Sequence, residues 1–178
     1  MAYVFEFDPS RCSACGACAV ACMDQNDIDI QNLEEPFRVT CAMEREKNEF
    51  CQITFMSVAC NHCDDAPCIS ACPCGCIYKD EETGFTLFDT TNCIGCHSCA
   101  MACPFGAPTY GADGKMKKCD GCYTRVKMGL QPACVHNCPT EAIRLVPRED
   151  WKEERTASGM KKIMDKLLEE SGCTKKNG

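Results

Sequence analysis

The stretch Arg11–Cys22, RCSACGACAVAC, places four cysteines, Cys12, Cys15, Cys18 and Cys22, within eleven residues. The use of those thiols decides the fold, because a chain that crowds them so tightly commits them to disulfides, to a metal or to redox chemistry. Three more groups follow. Cys60-x2-Cys63-x4-Cys68-x3-Cys72 runs into Pro73, Cys93-x2-Cys96-x2-Cys99-x3-Cys103 into Pro104, and Cys119-x2-Cys122-x11-Cys134-x3-Cys138 into Pro139. These groups use sixteen of the 21 cysteines in a chain of 178 residues, leaving Cys41, Cys51, Cys74, Cys76 and Cys173.

Such a density belongs to small domains held by cross-links or metal, and the length suits one domain or two small halves sharing a core. The start MAYVFEFDPS has neither a basic n-region nor a twin arginine, so the expected place is cytoplasmic. A periplasmic place stays open to a chain exported while bound to a signal-bearing partner. Among reduced thiols, 21 cysteines argue for metal, and the odd count leaves one over from any complete disulfide scheme. No run of 18 apolar residues occurs, so no direct membrane insertion is expected. A formal net charge of −7 disfavours nucleic acid as a partner. No glycine-rich phosphate loop, HExxH or GxSxG is present, and nothing proposes a substrate pocket, so the chain is not expected to be an enzyme by itself.

The spacing separates the candidate metals. C-x2-C-x2-C-x3-C followed by proline is the bacterial ferredoxin signature for cubane [4Fe–4S] clusters: three close thiolates wrap one cube, and the fourth ligates its neighbour. The fourth cysteine lies four residues after the third, which predicts a place one helical turn further along the same face. Zinc takes a tetrahedron, usually from two separated C-x2–4-C pairs, and only the last group could be read that way. A zinc-stabilised interaction protein is therefore the weaker alternative. A thioredoxin-like CxxC fits worse, since each CxxC here has further cysteines beside it.

The groups repeat. After their last cysteines they read CPCGCI, CPFGAP and CPTEAI, and strands are expected at Tyr3–Asp8, Ile77–Lys79, Phe85–Asp89 and Ala142–Val146. The segment IYKDEETGFTLFD predicts a hairpin turning near Thr83–Gly84. Residues 60–103 then form a complete two-cluster ferredoxin, and by elimination the first and last groups form a second one around it. The expected fold is α+β, with two interleaved bacterial-ferredoxin-like modules. Residues 1–36 and 104–148 make the first module and 60–103 the second; 37–59 is an inserted β-hairpin and 149–178 a C-terminal amphipathic helix and tail. Cluster 1 is assigned to Cys12, Cys15, Cys18 and Cys138, and cluster 2 to Cys22, Cys119, Cys122 and Cys134. Cluster 3 is assigned to Cys60, Cys63, Cys68 and Cys103, and cluster 4 to Cys72, Cys93, Cys96 and Cys99. Four oxidised cubanes with their thiolates add about −8 to the charge.

The stretches CNHCDDAPCISACP, GFTLFDTTNCIGCHSCAMACPFGAPTYG, KMKKCDGCYTRVKMGLQPACVHNCPTEAI and the opening RCSACGACAVAC resemble the four-cluster iron–sulfur subunit of the DMSO reductase family of molybdopterin oxidoreductases. The resemblance runs from about Tyr3 to Val146. It implies a polyferredoxin fold and an electron conduit bound to a molybdopterin or tungstopterin catalytic subunit, with a second redox partner at the other end of the path. No motif cysteine is missing, so it implies four [4Fe–4S] clusters. The chain departs from the usual CPxGAI by carrying Cys74 and Cys76 in CPCGCI. A freestanding polyferredoxin or filament unit serving hydrogenase- or formate-dehydrogenase-type enzymes is the alternative within the same chemistry.

Outside the motifs, Phe37–Glu46 and Glu49–Ala59 flank Lys47–Asn48 as a hairpin, on which Cys41 and Cys51 are expected to be small buried thiols. His62 and His97 are expected to tune clusters by hydrogen bonding or to face solvent. Lys115, Lys117, Lys118, Arg125 and Lys127 form either a solvated basic face or an offset to cluster charge. Met160, Ile163, Met164, Leu167 and Leu168 make an i, i+3, i+4, i+7, i+8 stripe, which either packs on its own domain or docks to a partner. Cys173 falls in a charged tail and reads as a free thiol.

Overall fold

The structure is a computed structural model describing residues 1–32, 34–47 and 50–170. Side chains at Lys47, Phe50, Gln52, Lys162 and 165–170 lie outside the description, as do Leu33, Asn48, Glu49 and 171–178, Cys173 included. The stripe positions Leu167 and Leu168 are thus described in backbone only.

Among the described residues, eight strands pair into four separate antiparallel ribbons. β1 (Tyr3–Phe7) pairs with β8 (Ile143–Pro147), with Phe7 opposite Ile143. Asp8 N–H to Ala142 C=O (2.8 Å) and Arg148 N–H to Ala2 C=O (2.9 Å) extend this ladder at both ends. β2 (Arg38–Lys47) pairs with β3 (Phe50–Ala59), β4 (Ile77–Lys79) with β5 (Thr86–Phe88), and β6 (Thr109–Tyr110) with β7 (Met116–Lys117). Between them lie short helices: α1 (Ala17–Gln25), α2 (Pro67–Ser70), α3 (Ser98–Ala102), α4 (Tyr123–Lys127) and α5 (Ala133–His136). A single turn of 3₁₀ helix spans Ile30–Asn32. α6 (Arg148–Glu170) is the one long helix, with Glu149 and Asp150 in its first turn, where the helix dipole favours negative charge.

Cysteine is part of the core. One buried cluster joins Cys68 and Cys99 to Ala66, Ile77 and Met116; a second joins Cys18 and Cys134 to Val135 and Ile143, with Phe5, Phe7 and Leu145 against it. Phe85 lies in the seam between them, 0% exposed, with ring centroids 5.7 Å from Phe5, 6.3 Å from Tyr3 and 4.9 Å from His62. Tyr3 N–H donates to Thr83 C=O (2.8 Å), and Arg148 pairs with Asp64 across the same seam.

One expectation is corrected. Cys41 and Cys51 are exposed, because only the base of the β2–β3 ribbon (Arg38, Ser57 and Ala59) is buried while its outer part projects beyond the core. Of the two readings of the α6 stripe, packing on the chain's own body does not hold at Met160, Ile163 and Met164; each is at least 60% exposed, since α6 rests on β1 and β8 near its start and then extends away.

Helix ends also differ from simple spacing. Cys18 and Cys22 share α1, one turn apart. In the other groups the third cysteine is helical (Cys68, Cys99, Cys134) but the fourth lies at or past the helix end. The reason is the following proline, whose ring disfavours the helical conformation of the residue before it. Cys103, before Pro104, is extended at φ −82°, ψ 117°.

Candidate metal centre

Three cavities are lined by cysteines drawn from distant parts of the chain. The first is lined by Cys12, Cys15, Cys18 and Cys138. The second is lined by Cys22, Cys119, Cys122 and Cys134. Another is lined by Cys72, Cys93, Cys96 and Cys99, with Cys74 and Cys76 beside them. Cys60, Cys63, Cys68 and Cys103 form a fourth neighbourhood: burial pushes the Cys63 and Cys68 thiols up, and the nearby Cys60 and Cys103 push them further. The sulfurs surround spaces rather than points. Among the described residues no three His, Cys, Asp or Glu side chains come close enough to share one metal ion, whereas tetrahedral zinc, with Zn–S bonds of about 2.3 Å, needs such closeness. All twenty described cysteines are free thiols.

Backbone geometry arranges the thiols. The residue before the second cysteine of every group is left-handed: Ala14 (φ 52°), His62 (φ 47°), Gly95 (φ 66°) and Gly121 (φ 76°). That bend turns successive amides inward, as in an anion-binding nest, and Gly121 N–H donates to Cys119 Sγ (3.3 Å). A second recurring turn follows the cysteine-proline pairs. Three residues after the cysteine the chain is again left-handed, at Gly75, Gly106 and Glu141. The next amide then points back at the sulfur: Cys76 N–H to Cys72 (3.3 Å), Ala107 N–H to Cys103 (3.5 Å) and Ala142 N–H to Cys138 (3.2 Å). Burial pulls the Cys72 and Cys138 thiols up, but these and neighbouring amides outweigh it and hold both below the ordinary thiol range. Cys22 has no following proline and no such turn; burial pushes its thiol up to about 11, and Asn26 Nδ2 lies 3.5 Å from its sulfur. A cation that displaces the proton is what makes such a group a ligand.

Side chains complete the polar surroundings. Tyr110 Oη lies 3.3 Å from Cys99 Sγ, and Ser98 Oγ lies 3.4 Å from Cys96 Sγ. His97 lines the cavity of Cys72, Cys93, Cys96 and Cys99 and stacks on Tyr110 at 3.7 Å between centroids. His62 is 5% exposed; its Nδ1 accepts Thr86 N–H (3.1 Å), and its Nε2 lies 3.6 Å from Cys119 Sγ.

Buried cations are the feature the sequence hid. Arg38, 5% exposed, donates Nη1–H to Ser57 Oγ (3.0 Å), whose oxygen sits 3.4 Å from Cys18 Sγ. Burial opposes its charge, yet the Cys134, Cys119 and Cys18 thiolates outweigh that and raise its pKa. Lys118 is 1% exposed, donates to the Thr86 and Cys119 carbonyls and lies 5.5 Å from the Phe88 ring. Among the described residues neither has a carboxylate within ion-pair distance. A buried charge without a counter-ion is costly, so these two fit a site that brings its own negative charge. The remaining basic residues near Cys119 are spoken for: Lys117 pairs with Glu34 (2.6 Å), Lys127 with Glu82, Lys115 donates to Thr90 C=O (3.0 Å) and Arg125 to Gln131 C=O (2.9 Å). Arg38 sits on the inserted ribbon, away from every motif, so only tertiary structure reveals it.

Residues 51–148 match the family model of the 4Fe-4S dicluster domain, and residues 5–22 match that of the 4Fe-4S binding domain. The probable anaerobic dimethyl sulfoxide reductase chain YnfG of Escherichia coli K12 is 40% identical over 158 residues, covering 85% of this chain and 77% of that protein. The B subunit of the anaerobic dimethyl sulfoxide reductase of Haemophilus influenzae is 39% identical, covering 84% and 76%. The thiosulfate reductase electron transfer subunit PhsB of Salmonella typhi is 37% identical over 175 residues, covering 96% and 88%. The chain belongs to this family of iron–sulfur electron-transfer subunits. As such a subunit it carries [4Fe–4S] clusters on its cysteines and transfers electrons within an oxidoreductase assembly. Among the described residues of the subunit, no helix is long and apolar enough to cross a membrane.

Proposed function

We propose that the subunit holds four [4Fe–4S] clusters on its sixteen motif cysteines and relays electrons to or from a molybdopterin or tungstopterin catalytic subunit without catalysing a reaction itself. When bound, each cluster accepts and releases one electron at a time. The observation that carries this reading is the grouping of thiols: three cavities each have four motif cysteines in their walls, in the combinations Cys12/15/18/138, Cys22/119/122/134 and Cys72/93/96/99. Interleaved modules follow, with 1–36 and 104–148 as one unit and 60–103 as the other; the β1–β8 ribbon and the packing of α1 on α5 support it.

The chain's residues supply a continuous path. α1 carries Cys18 to the first site and Cys22 to the second. His62 lies in the loop that carries Cys60 and Cys63 and reaches Cys119 of the second site. α2 and α3, packed together, lead with Cys68/Cys72 and Cys99/Cys103 from the site of Cys60, Cys63, Cys68 and Cys103 to that of Cys72, Cys93, Cys96 and Cys99. Cys15 and Cys96 are the exposed thiols of the outermost sites, which makes those two sites the ports. Relatives named as chains of dimethyl sulfoxide and thiosulfate reductases support a catalytic subunit at one port.

Anaerobically isolated subunit is expected to contain about sixteen iron and sixteen acid-labile sulfide atoms. A reproducible value of about twelve at full occupancy would remove one cluster from the proposal. Purified untagged from its native host, the protein should bring a pterin-containing subunit with it. Alone it should exchange electrons with artificial dyes yet turn over no organic substrate, and sustained turnover by the isolated chain would contradict the conduit reading.

A further inference from the structure

Six cysteines line the cavity that receives Cys72, Cys93, Cys96 and Cys99. The two extra thiols belong to the segment CPCGCI, and they differ in placement: Cys76 is buried at 5% exposure, while Cys74 is only half-buried. Cys76 occupies the fourth position after the last motif cysteine. In the other two cysteine-proline turns that position is Ala107 and Ala142. All three residues direct their amide N–H at the motif sulfur, at 3.3, 3.5 and 3.2 Å, so the turn holds this position in one relation to that sulfur. Ala142 lines the cavity beside Cys138 just as Cys76 lines the cavity beside Cys72. Where the equivalent turns present a methyl group, this one presents a thiol.

We propose that Cys76 is a reserve iron ligand, able to replace Cys72 at the cluster held with Cys93, Cys96 and Cys99. The inference rests on the reading that these four residues bind a cluster. On loss of Cys72, the Cys76 thiol gives its proton to solvent and its sulfur bonds to the iron that Cys72 held. Four thiolates are restored, and no electron is gained or lost. The exchange would take place within the existing cavity, because Cys76 already lines it together with Cys93, Cys96 and Cys99. The sites that Cys138 and Cys103 serve have no such spare, since Ala142 and Ala107 cannot ligate iron.

Iron and sulfide content, together with the electron paramagnetic resonance of the reduced clusters, tests this in the full chain prepared anaerobically. Wild type fixes the reference, and a value of about twelve iron there would count against the four-cluster reading itself. Cys72→Ala should keep the wild-type iron content, with an altered resonance from the exchanged ligand, while Cys93→Ala loses about four iron atoms. Cys72→Ala/Cys76→Ala should lose the same four, and Cys72→Ala/Cys74→Ala should keep them. The proposal is overturned if Cys72→Ala loses a cluster as Cys93→Ala does, or if it fails to fold where Cys93→Ala folds. Retention that depends on Cys74 would also overturn it, as would loss of a cluster from Cys76→Ala alone, which would make Cys76 a primary ligand.

Discussion

His62 carries its imidazole proton on Nε2, because Nδ1 already accepts the Thr86 amide. The N–H therefore faces Cys119 Sγ, and burial, with Lys118 and Lys79 nearby, holds the ring neutral by pushing its pKa well below the ordinary value. A hydrogen bond donated to a cluster thiolate favours the reduced, more negative state. His62→Leu keeps an apolar side chain against Phe5 and Phe85 but removes that donor. It is expected to lower one cluster's potential by about 60 mV, a tenfold change for one electron, in a potentiometric titration. His62→Gln should recover part of the shift. The variant should also cost about 1–3 kcal/mol in stability, since the buried Thr86 amide loses its acceptor. An unchanged potential would leave the ring a packing role only. At this scale the grouping of the motif cysteines was legible, since three of the four sets expected from spacing line one cavity each. Arg38 was not, and Lys118 stood out only as one of five basic residues that either face solvent or offset cluster charge; the burial of both shows only in three dimensions.

Among the elements, the left-handed residues set the ligand loops, and Gly121 shows how tightly. A Cβ there would sit 2.7 Å from the Phe85 ring, at a backbone φ of +76° that side chains rarely adopt. Gly121→Ala should cost about 2–4 kcal/mol, combining left-handed strain of about 1 kcal/mol with overpacking. A thermal melt of the loaded protein would register it, and a melting temperature equal to wild type would show that Phe85 is free to shift. Strands were easier to read than helices. Ile77–Lys79 has the same bounds in sequence and structure, because alternation marks a half-buried strand even when it is short. α2 and α5 are four residues each, too short for helical periodicity, and their ends follow the cysteine-proline pairs rather than helix propensity. The burial expected for Cys41 and Cys51 failed because alternation shows which residues share a face but not whether anything covers it.

For the whole molecule, stability should reside in metal ligation as much as in apolar packing, since buried cysteines form part of both hydrophobic clusters. Cys138→Ala is expected to abolish the first cluster and loosen β1, whose partner β8 begins five residues beyond Cys138. Residues 60–103 should keep their two clusters. Hydrogen exchange reads the outcome: protection lost at Tyr3–Phe7 and kept at Ile77–Lys79 is expected, and the reverse pattern would overturn the pairing of the first and last groups. From sequence, that pairing rests on elimination, because no local signal links Arg11 to Glu141, which meet in a salt bridge although 130 positions apart. Partner surfaces were the least legible: the stripe on α6 is visible from periodicity, but its exposure is a property of the assembled body.

The β1–β8 ribbon also imposes a timetable. Translation at about 5–20 residues per second delivers Cys138 roughly 6–24 s after Cys18. Through that interval the first three thiols of the first site have left the ribosome without their fourth, and β1 has no strand to pair with. Under the proposed arrangement, residues 60–103 emerge complete and would be loaded first. Maturation is then expected to begin in the middle of the polypeptide and finish at its two ends, and a message truncated before codon 134 is expected to yield a product carrying only the two clusters proposed for residues 60–103.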